Sequence, residues 1–418
     1  MPSDTRTMTS RERVLATIEH QEPDRLPVDL GGSIMTGIMA QALARLRQHL
    51  GGDHVPTKVY EMYQMLGQVD DDIIDRFGID VLPVEPHTGM FEIRREGYKP
   101  WQLFDGTEVL VPGQFEVETD EQGRWLLHEG GDMSRPVAGV MPKDGYYFDG
   151  VAEQPLDLDY TPPPIDELRP EYTRGVPTEE LEFMAARAEA LRPTDKALML
   201  AAYNYCSPAG SGSIPNWLCV MMTEPDYVSE LSAIRTEAVL RNLQDLYRAV
   251  GDNIDIVIID SSDYGTQRAE IFSPDLFEQF YFPYYNAVIG WVHEHTPWKT
   301  WKHCCGSIPR LLPYFVESGL DCINPVQCSA CGMEPEVLKE KFGDHLTFWG
   351  GGVDTQKTLP FGTPDEVYDE VAERIRVLGA GGGFVFNTVH NVQARVPVEN
   401  VLAMYETVRD YGGYPLRA

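Results

Sequence analysis

Three side chains able to hold a soft metal or move a proton stand together in WKHCCGSIPR, residues 301–310: His303, Cys304 and Cys305. In His-x-Cys an extended turn lets an imidazole and a thiolate point the same way. His303 and Cys305 therefore form a natural two-point unit for zinc, a borderline-soft ion that accepts both donors. Cys304, between them, points away. A third ligand arrives about 85 residues later at His390, in VHNVQ; three protein ligands leave the open position that catalysis requires. Two other readings stay open. A strand-end histidine beside buried thiols is also ordinary packing. The C-x-x-C of Cys328 and Cys331 could instead join Cys304 and Cys305 as a four-thiolate zinc site or a redox pair. Other chemistry-bearing residues are Asp260, Asp263 and Tyr264 in DSSDYGTQ, Asp354 in GGGVDTQ, and Tyr203, Asn204 and Tyr205.

Residues so far apart meet only if the fold gathers them. Eight apolar, β-rich runs recur along the chain: residues 26–30, 80–85, 197–205, 254–260, 298–303, 320–325, 346–351 and 383–388. Helical patterns separate most of them. The clearest is TPDEVYDEVAERIRVLG, with Thr363 as N-cap, Pro364 in the first turn and Glu366 closing a capping box. Val367, Val371, Ile375 and Leu378 form its buried stripe, and Gly379 is expected to end it in a left-handed turn. Apolar strands alternating with amphipathic helices imply a parallel sheet covered by helices. Eight units suggest a closed (β/α)8 TIM barrel, of class α/β. A doubly wound open sheet is the alternative, weakened by the absence of a Gly-rich phosphate fingerprint after an early strand.

In such a barrel the C-terminal strand ends and following loops build the site, and every residue singled out above falls there except the C-x-x-C. The rhythm breaks after the second strand. FEIRRE, TEVLVPG and FEVETDEQGRWLLHE read as short antiparallel strands, so residues 88–165 are taken as a β-hairpin insertion in a single domain spanning 1–418. Residues 1–25 read as an N-terminal helical extension. The aromatic run FEQFYFPYYN (277–286) reads as core packing.

Composition bounds the function. Of 418 residues, 43% are hydrophobic and 24% charged, ordinary values for a globular protein. The net charge of −31 repels phosphate backbones and argues against nucleic-acid binding. No apolar run approaches the ~18 residues of a membrane span. The start, MPSDTRTMTSRER, lacks a signal peptide's apolar stretch. The expectation is a cytoplasmic protein. Seven cysteines, an odd number, suit metal or catalytic use better than a disulfide framework.

The stretches SRERVLATIEHQEPDRLPV, YQMLGQVDDDIIDRFGIDV, DYGTQ, SPDLFEQFYFPYY, HCCGSI, GLDCINPVQ, FWGGGVDTQ, LPFGTPDEV and VHNVQARVPVENVLAMYE give the chain a resemblance to the uroporphyrinogen decarboxylase superfamily. Within it, the chain looks like the corrinoid-dependent methyltransferase branch. The resemblance implies the (β/α)8 fold and zinc held by His-x-Cys and a later cysteine. His303 and Cys305 match the first two ligands, and His390 stands where the later cysteine falls. The decarboxylase's substrate-gripping arginine motif is missing: the matching region reads DLGGSIMTGIMA.

Exchanging a thiolate for an imidazole leaves the site one charge more positive, hence a better Lewis acid toward an oxygen lone pair. The resemblance then implies O-demethylation. A methyl group would pass from a small-molecule donor, a methoxylated aromatic, to cobalt(I) of a corrinoid (cobalamin) carried by a separate protein, since this chain shows no cobalamin-binding motif. Asp263 or Tyr264 would supply the acid, and Asp354 either joins them or caps its turn. Tyr203, Asn204, Tyr205, Trp217 and Trp349 would line a slot for the ring. The alternatives are transfer from a methylcorrinoid to a thiol or to tetrahydrofolate, a uroporphyrinogen decarboxylase-like lyase, and a non-catalytic tetrapyrrole or corrinoid carrier. A homodimer is compatible with the sequence but not specified by it.

Overall fold

The structure, a computed structural model, describes residues 7–51, 56–150, 156–201 and 203–416, without the side chains of residues 203 and 204. Seven parallel strands form one curled sheet: Val81–Val84, Ala197–Leu200, Ile256–Asp260, Lys299–His303, Cys322–Asn324, Thr347–Trp349 and Phe384–Val385, paired in chain order. Residues 26–30 close the ring. On one side Asp29 N–H donates to the Phe386 carbonyl (2.9 Å) and Phe386 N–H to that of Pro27 (2.8 Å); on the other, Asp80 N–H donates to the Val28 carbonyl (2.8 Å). The eight apolar runs are thus the eight strands of a (β/α)8 barrel.

Alternation along these strands divides the core into two layers. Val81, Ala197, Met199, Ile256, Ile258, Trp301, Cys322, Trp349 and Val385 fill the interior, while Leu198, Leu200, Val257, Ile259, Ile323, Phe348 and Phe384 face the helices. The helix Ser10–Ile18, opened by a capping box of Thr9 and Glu12, adds Val14 and Ile18 to the interior cluster and so plugs one end of the barrel. The helix Pro364–Leu378 carries the expected capping box and buried stripe. Gly379, however, is right-handed (φ −76°); the chain turns left-handed later, through Gly381, Gly382 and Gly383. The aromatic run is core: Phe277, Phe280, Tyr281, Tyr284 and Tyr285 are all buried. No helix among the described residues is long and apolar enough to cross a membrane.

Two further sheets lie outside the barrel. Val117–Thr119, Trp125–His128, Val137–Met141 and Asp149–Gly150 form an antiparallel meander. The hairpin Lys99–Gln102 with Glu108–Val111 extends a sheet that begins earlier in the chain, because Glu108–Val111 pairs in parallel with Thr57–Glu61. FEIRRE is not a strand: Phe91 and Glu92 take left-handed φ of 59° and 57° in a short 3-10 turn. A separate core of Val59, Met62, Met65, Ile93, Leu103, Val109, Val111, Phe115, Trp125, Leu127, Met141 and Phe148 holds this layer together.

Candidate metal centre at the barrel mouth

Lys299–His303 alternates Trp301 and His303 inward with Lys302 outward. Trp301 is buried in the barrel interior, and the His303 ring lies 6.4 Å above it. On the neighbouring strand end, Asn324 donates from Nδ2 to the Trp349 carbonyl (2.9 Å). A carbonyl can only accept, so this contact fixes which end of the amide is nitrogen. Asn324 Oδ1 therefore faces His303 Nδ1, at 2.7 Å, and Nδ1 must carry the proton. The free lone pair of His303 is left on Nε2.

Cys305 Sγ lies 3.4 Å from that Nε2. The third side chain arrives from beyond the eighth strand: the His390 ring sits edge-on to His303, centroids 5.4 Å apart. The segment bearing it is stitched down on both flanks. Asn387 Nδ2 donates to the Asp29 carbonyl (2.9 Å), and Gly37 N–H to Asn391 Oδ1 (2.5 Å). One donor atom from each of His303, Cys305 and His390 lies within 4.8 Å of the others, the one such group of three among the described residues. Cys304 instead turns into the protein, where its Sγ accepts from Tyr264 N–H at 3.3 Å. All seven cysteines are free, with Cys328 half-buried and Cys331 exposed.

Burial sets the protonation of these groups. It lowers the pKa of His303, and lowers that of His390, with help from His303, to about 4. Burial, then the nearby Asp263 carboxylate, pushes the Cys305 thiol upward. A cluster of neutral imidazoles and a half-buried sulfur, with one tautomer already fixed, fits zinc: two nitrogens and a thiolate would leave a fourth position open. Asp263 stands beside the cluster. Its Oδ1 accepts from Cys305 N–H at 2.7 Å, lies 3.6 Å from His303 Nε2, and its side chain is 51% exposed.

The other expected residues are not gathered here. The Tyr264 hydroxyl is buried against the Tyr285 hydroxyl (2.7 Å). Asp354 caps its own turn, accepting from Gln356 and Lys357 N–H at 2.7 and 2.8 Å. Trp349 is in the barrel interior, its Nε1 donating to Asp29 Oδ2 (2.8 Å), and burial raises the Asp29 pKa to about 6. Trp217 donates to the Tyr281 hydroxyl (2.9 Å) in the outer layer. Tyr205 lines a different cavity, with Arg94, Glu180 and Arg235. The side chains of Tyr203 and Asn204 lie outside the described residues.

What opens beside His390 is a cavity of about 270 Å³ lined by Met39, Tyr63, Gln64, Tyr147 and Gln393. None of these was singled out from the sequence, nor was Asn324. Asn324 had a signal, since it ends the strand next to that of His303. Tyr63 and Tyr147 had none, because they reach the site through the sheets outside the barrel. A larger cavity, about 1010 Å³, flanks the second barrel strand between Tyr98 and Phe183 and touches none of His303, Cys305 and His390.

Comparison with known proteins agrees with this architecture. The uroporphyrinogen decarboxylase of Coxiella burnetii is 23% identical over 148 residues, 34% of this chain and 38% of that protein. The methylated-thiol–coenzyme M methyltransferase of Methanosarcina mazei is 28% identical over 110 residues, 26% of this chain and 27% of that protein. The chain thus matches well under half the length of either relative. Among solved structures, a methyltransferase from Methanosarcina mazei superposes with a TM-score of 0.52 at 17% identity, covering 97% of this chain and 99% of that one; this is a likeness of fold. Residues 198–411, just over half of the chain and six of the eight barrel strands, match the family described as Uroporphyrinogen decarboxylase (URO-D), and the chain belongs to that family.

Proposed function

We propose that the protein is a zinc-dependent methyltransferase that moves a methyl group from a methyl ether, a methoxylated aromatic, to the cobalt(I) of a corrinoid carried by a separate protein. The observation that carries this reading is the meeting of His303, Cys305 and His390 within 4.8 Å at the barrel mouth, beside a cavity of about 270 Å³. Bound there, zinc would supply a positive charge that polarises the ether oxygen. The chain's own residues do the rest. His303 and His390 contribute no charge, so the site stays electrophilic. Asp263, 3.6 Å from His303 Nε2 and half in solvent, would take up a proton from water and pass it to the departing oxygen. The methyl carbon–oxygen bond breaks as the carbon–cobalt bond forms; the bond's electron pair stays on oxygen, which leaves as a hydroxyl. Tyr264 and Asp354 serve as packing and as a cap. Family membership and the methyltransferase names among the relatives support this reading. The missing arginine motif and the small cavity weigh against a decarboxylase acting on a large polycarboxylate.

A second reading, transfer involving a methylated thiol, is favoured by the name of the Methanosarcina mazei relative. The test is metal analysis of the purified protein, followed by demethylation assays with cob(I)alamin and either methoxyarenes or methyl thioethers. Cys305→Ser and His390→Ala should lose bound zinc and turnover together, and only methoxyarenes should be consumed. Full turnover in a zinc-free variant would overturn the mechanism, and consumption of thioethers alone would favour the second reading.

A further inference from the structure

The cavity beside His390 has a built specificity. Tyr147 stands in the turn between Val137–Met141 and Asp149–Gly150, and its neighbours are anchored on both sides. Tyr146 packs against the barrel-interior cluster, and Phe148 is fully buried in the core of the outer sheets. Phe148 N–H also donates to the Tyr63 carbonyl (2.8 Å). This leaves Tyr147 projecting at the mouth, 45% exposed. Opposite, Glu61 fixes the turn carrying Tyr63 and Gln64 by accepting both of their N–H groups at 2.8 Å. Among the described residues, neither the Tyr63 nor the Tyr147 hydroxyl has a hydrogen-bond partner.

The two amides are oriented by backbone groups, whose donor and acceptor roles are fixed. Gly37 N–H requires the oxygen of Asn391 (2.5 Å), and the Ile34 carbonyl requires its nitrogen (2.8 Å). That nitrogen donates to Gln64 Oε1 (2.8 Å), so Gln64 turns Nε2, a donor, the other way. Gln393 Nε2 donates to the Asn391 carbonyl (3.0 Å), which leaves its Oε1 as a free acceptor. The wall therefore offers one amide donor, one amide acceptor, two phenol rings and the Met39 thioether, and no lysine or arginine.

We infer that this cavity is the ring-binding subsite, and that it selects uncharged aromatic methyl ethers bearing a hydroxyl, against the same ring bearing a carboxylate. The inference rests on the methyl-ether reading above and adds what decides the substrate. A phenolic hydroxyl both donates and accepts, matching Gln393 Oε1 and Gln64 Nε2. The tyrosine faces and Met39 take the ring. A volume of about 270 Å³ lies just below the roughly 300–1,000 Å³ of drug-sized ligand pockets, so it suits one substituted ring. A carboxylate held on the Gln64–Gln393 wall, away from the metal, would be desolvated with no lysine or arginine to pair, inside a chain of net charge −31.

The zinc-loaded full chain, with cob(I)alamin as acceptor, should consume 2-methoxyphenol with kcat/KM at least about tenfold above that for 2-methoxybenzoate. Tyr147→Ala should raise KM for 2-methoxyphenol about tenfold, with zinc content and kcat little changed. Gln393→Arg keeps a donor for the Asn391 carbonyl and adds a cation, and should shift the preference ratio toward 2-methoxybenzoate by about tenfold. A wild-type preference for the benzoate, or a KM indifferent to Tyr147→Ala, would overturn the inference while leaving methyl-ether cleavage standing. No turnover of any methoxyarene by zinc-loaded protein would remove both.

Discussion

An imidazole gives a metal one lone pair, and its neighbours decide which nitrogen carries it. Asn324 makes that decision for His303, and the Trp349 carbonyl makes it for Asn324. Asn324→Ala releases the tautomer and the ring orientation. Zinc affinity should fall roughly 10- to 100-fold, read by chelator competition, while the unfolding midpoint moves much less than for loss of a core side chain. Cys305 sets the pH dependence. Its thiol pKa is raised by burial and the ligand must be a thiolate, so metal binding expels its proton. His390, held at about 4, is already neutral and expels none above about pH 5. Burial also lowers His303 below the ordinary imidazole value of about 6.5, so one proton should leave per zinc between about pH 6.5 and 8, and affinity should climb about tenfold, ~1.4 kcal/mol, per pH unit. Calorimetry in buffers of different ionisation enthalpy counts that proton; a count near zero would mean that the sulfur is not a ligand.

At the scale of the strand, alternation decides what reaches the mouth, and one irregularity shows how strictly. Counting by twos from Ile256 and Ile258 sends Asp260 into the barrel. A register shift between Ile258 and Asp260 turns it outward instead, onto Lys302 Nζ (2.5 Å) and the Tyr285 hydroxyl (2.6 Å). Both members of this ion pair are fully buried, and Lys302 also lies 4.5 Å from the Tyr264 ring. Removing one partner strands a charge. Lys302→Met should cost about 3–5 kcal/mol, and exchanging both partners for apolar residues should cost much less; denaturant titration checks both. His303 ends a regular strand and Cys305 follows two residues later, so their approach was legible in the sequence. Tyr264, expected beside them, follows the bulge, and no pattern of residue types announces a bulge. The eight strands were legible because both faces of each are covered, which forces continuous apolar runs. FEIRRE was misread because alternation alone does not reveal two consecutive left-handed residues.

Across the whole molecule, what the sequence could not convey is long-range. Thr57–Glu61 joins Glu108–Val111, so one outer sheet draws strands from both sides of the second barrel strand. The Phe148 N–H to Tyr63 carbonyl bond (2.8 Å) then holds the turns of Tyr63 and Tyr147 together beside His390. Charge acts at the same scale. The chain holds 65 acidic residues against 34 lysines and arginines. Many of the basic groups are already paired: Arg13 with Asp24 and Asp80, Arg47 with Asp70 and Asp72, Arg95 with Glu85. The surplus is therefore unpaired carboxylate, and unpaired like charges repel more in a compact chain than in an unfolded one. Salt acts on the two populations in opposite directions. It weakens exposed ion pairs, each worth about 0–1 kcal/mol, and it screens the repulsion. The Debye length falls from about 30 Å at 0.01 M to about 10 Å at 0.1 M, from spanning much of the barrel to spanning only neighbouring side chains. With repulsion in excess, the thermal midpoint should rise by about 1 °C or more from 0.01 to 0.5 M sodium chloride, the shift that ~1 kcal/mol produces in a chain of 418 residues. Chloride is the salt to use, because sulfate strengthens apolar burial by itself. A midpoint that stays level or drops would mean that exposed pairs such as Arg94–Glu179 and Arg135–Glu92 outweigh the surplus, and that this acidic surface does not strain the fold.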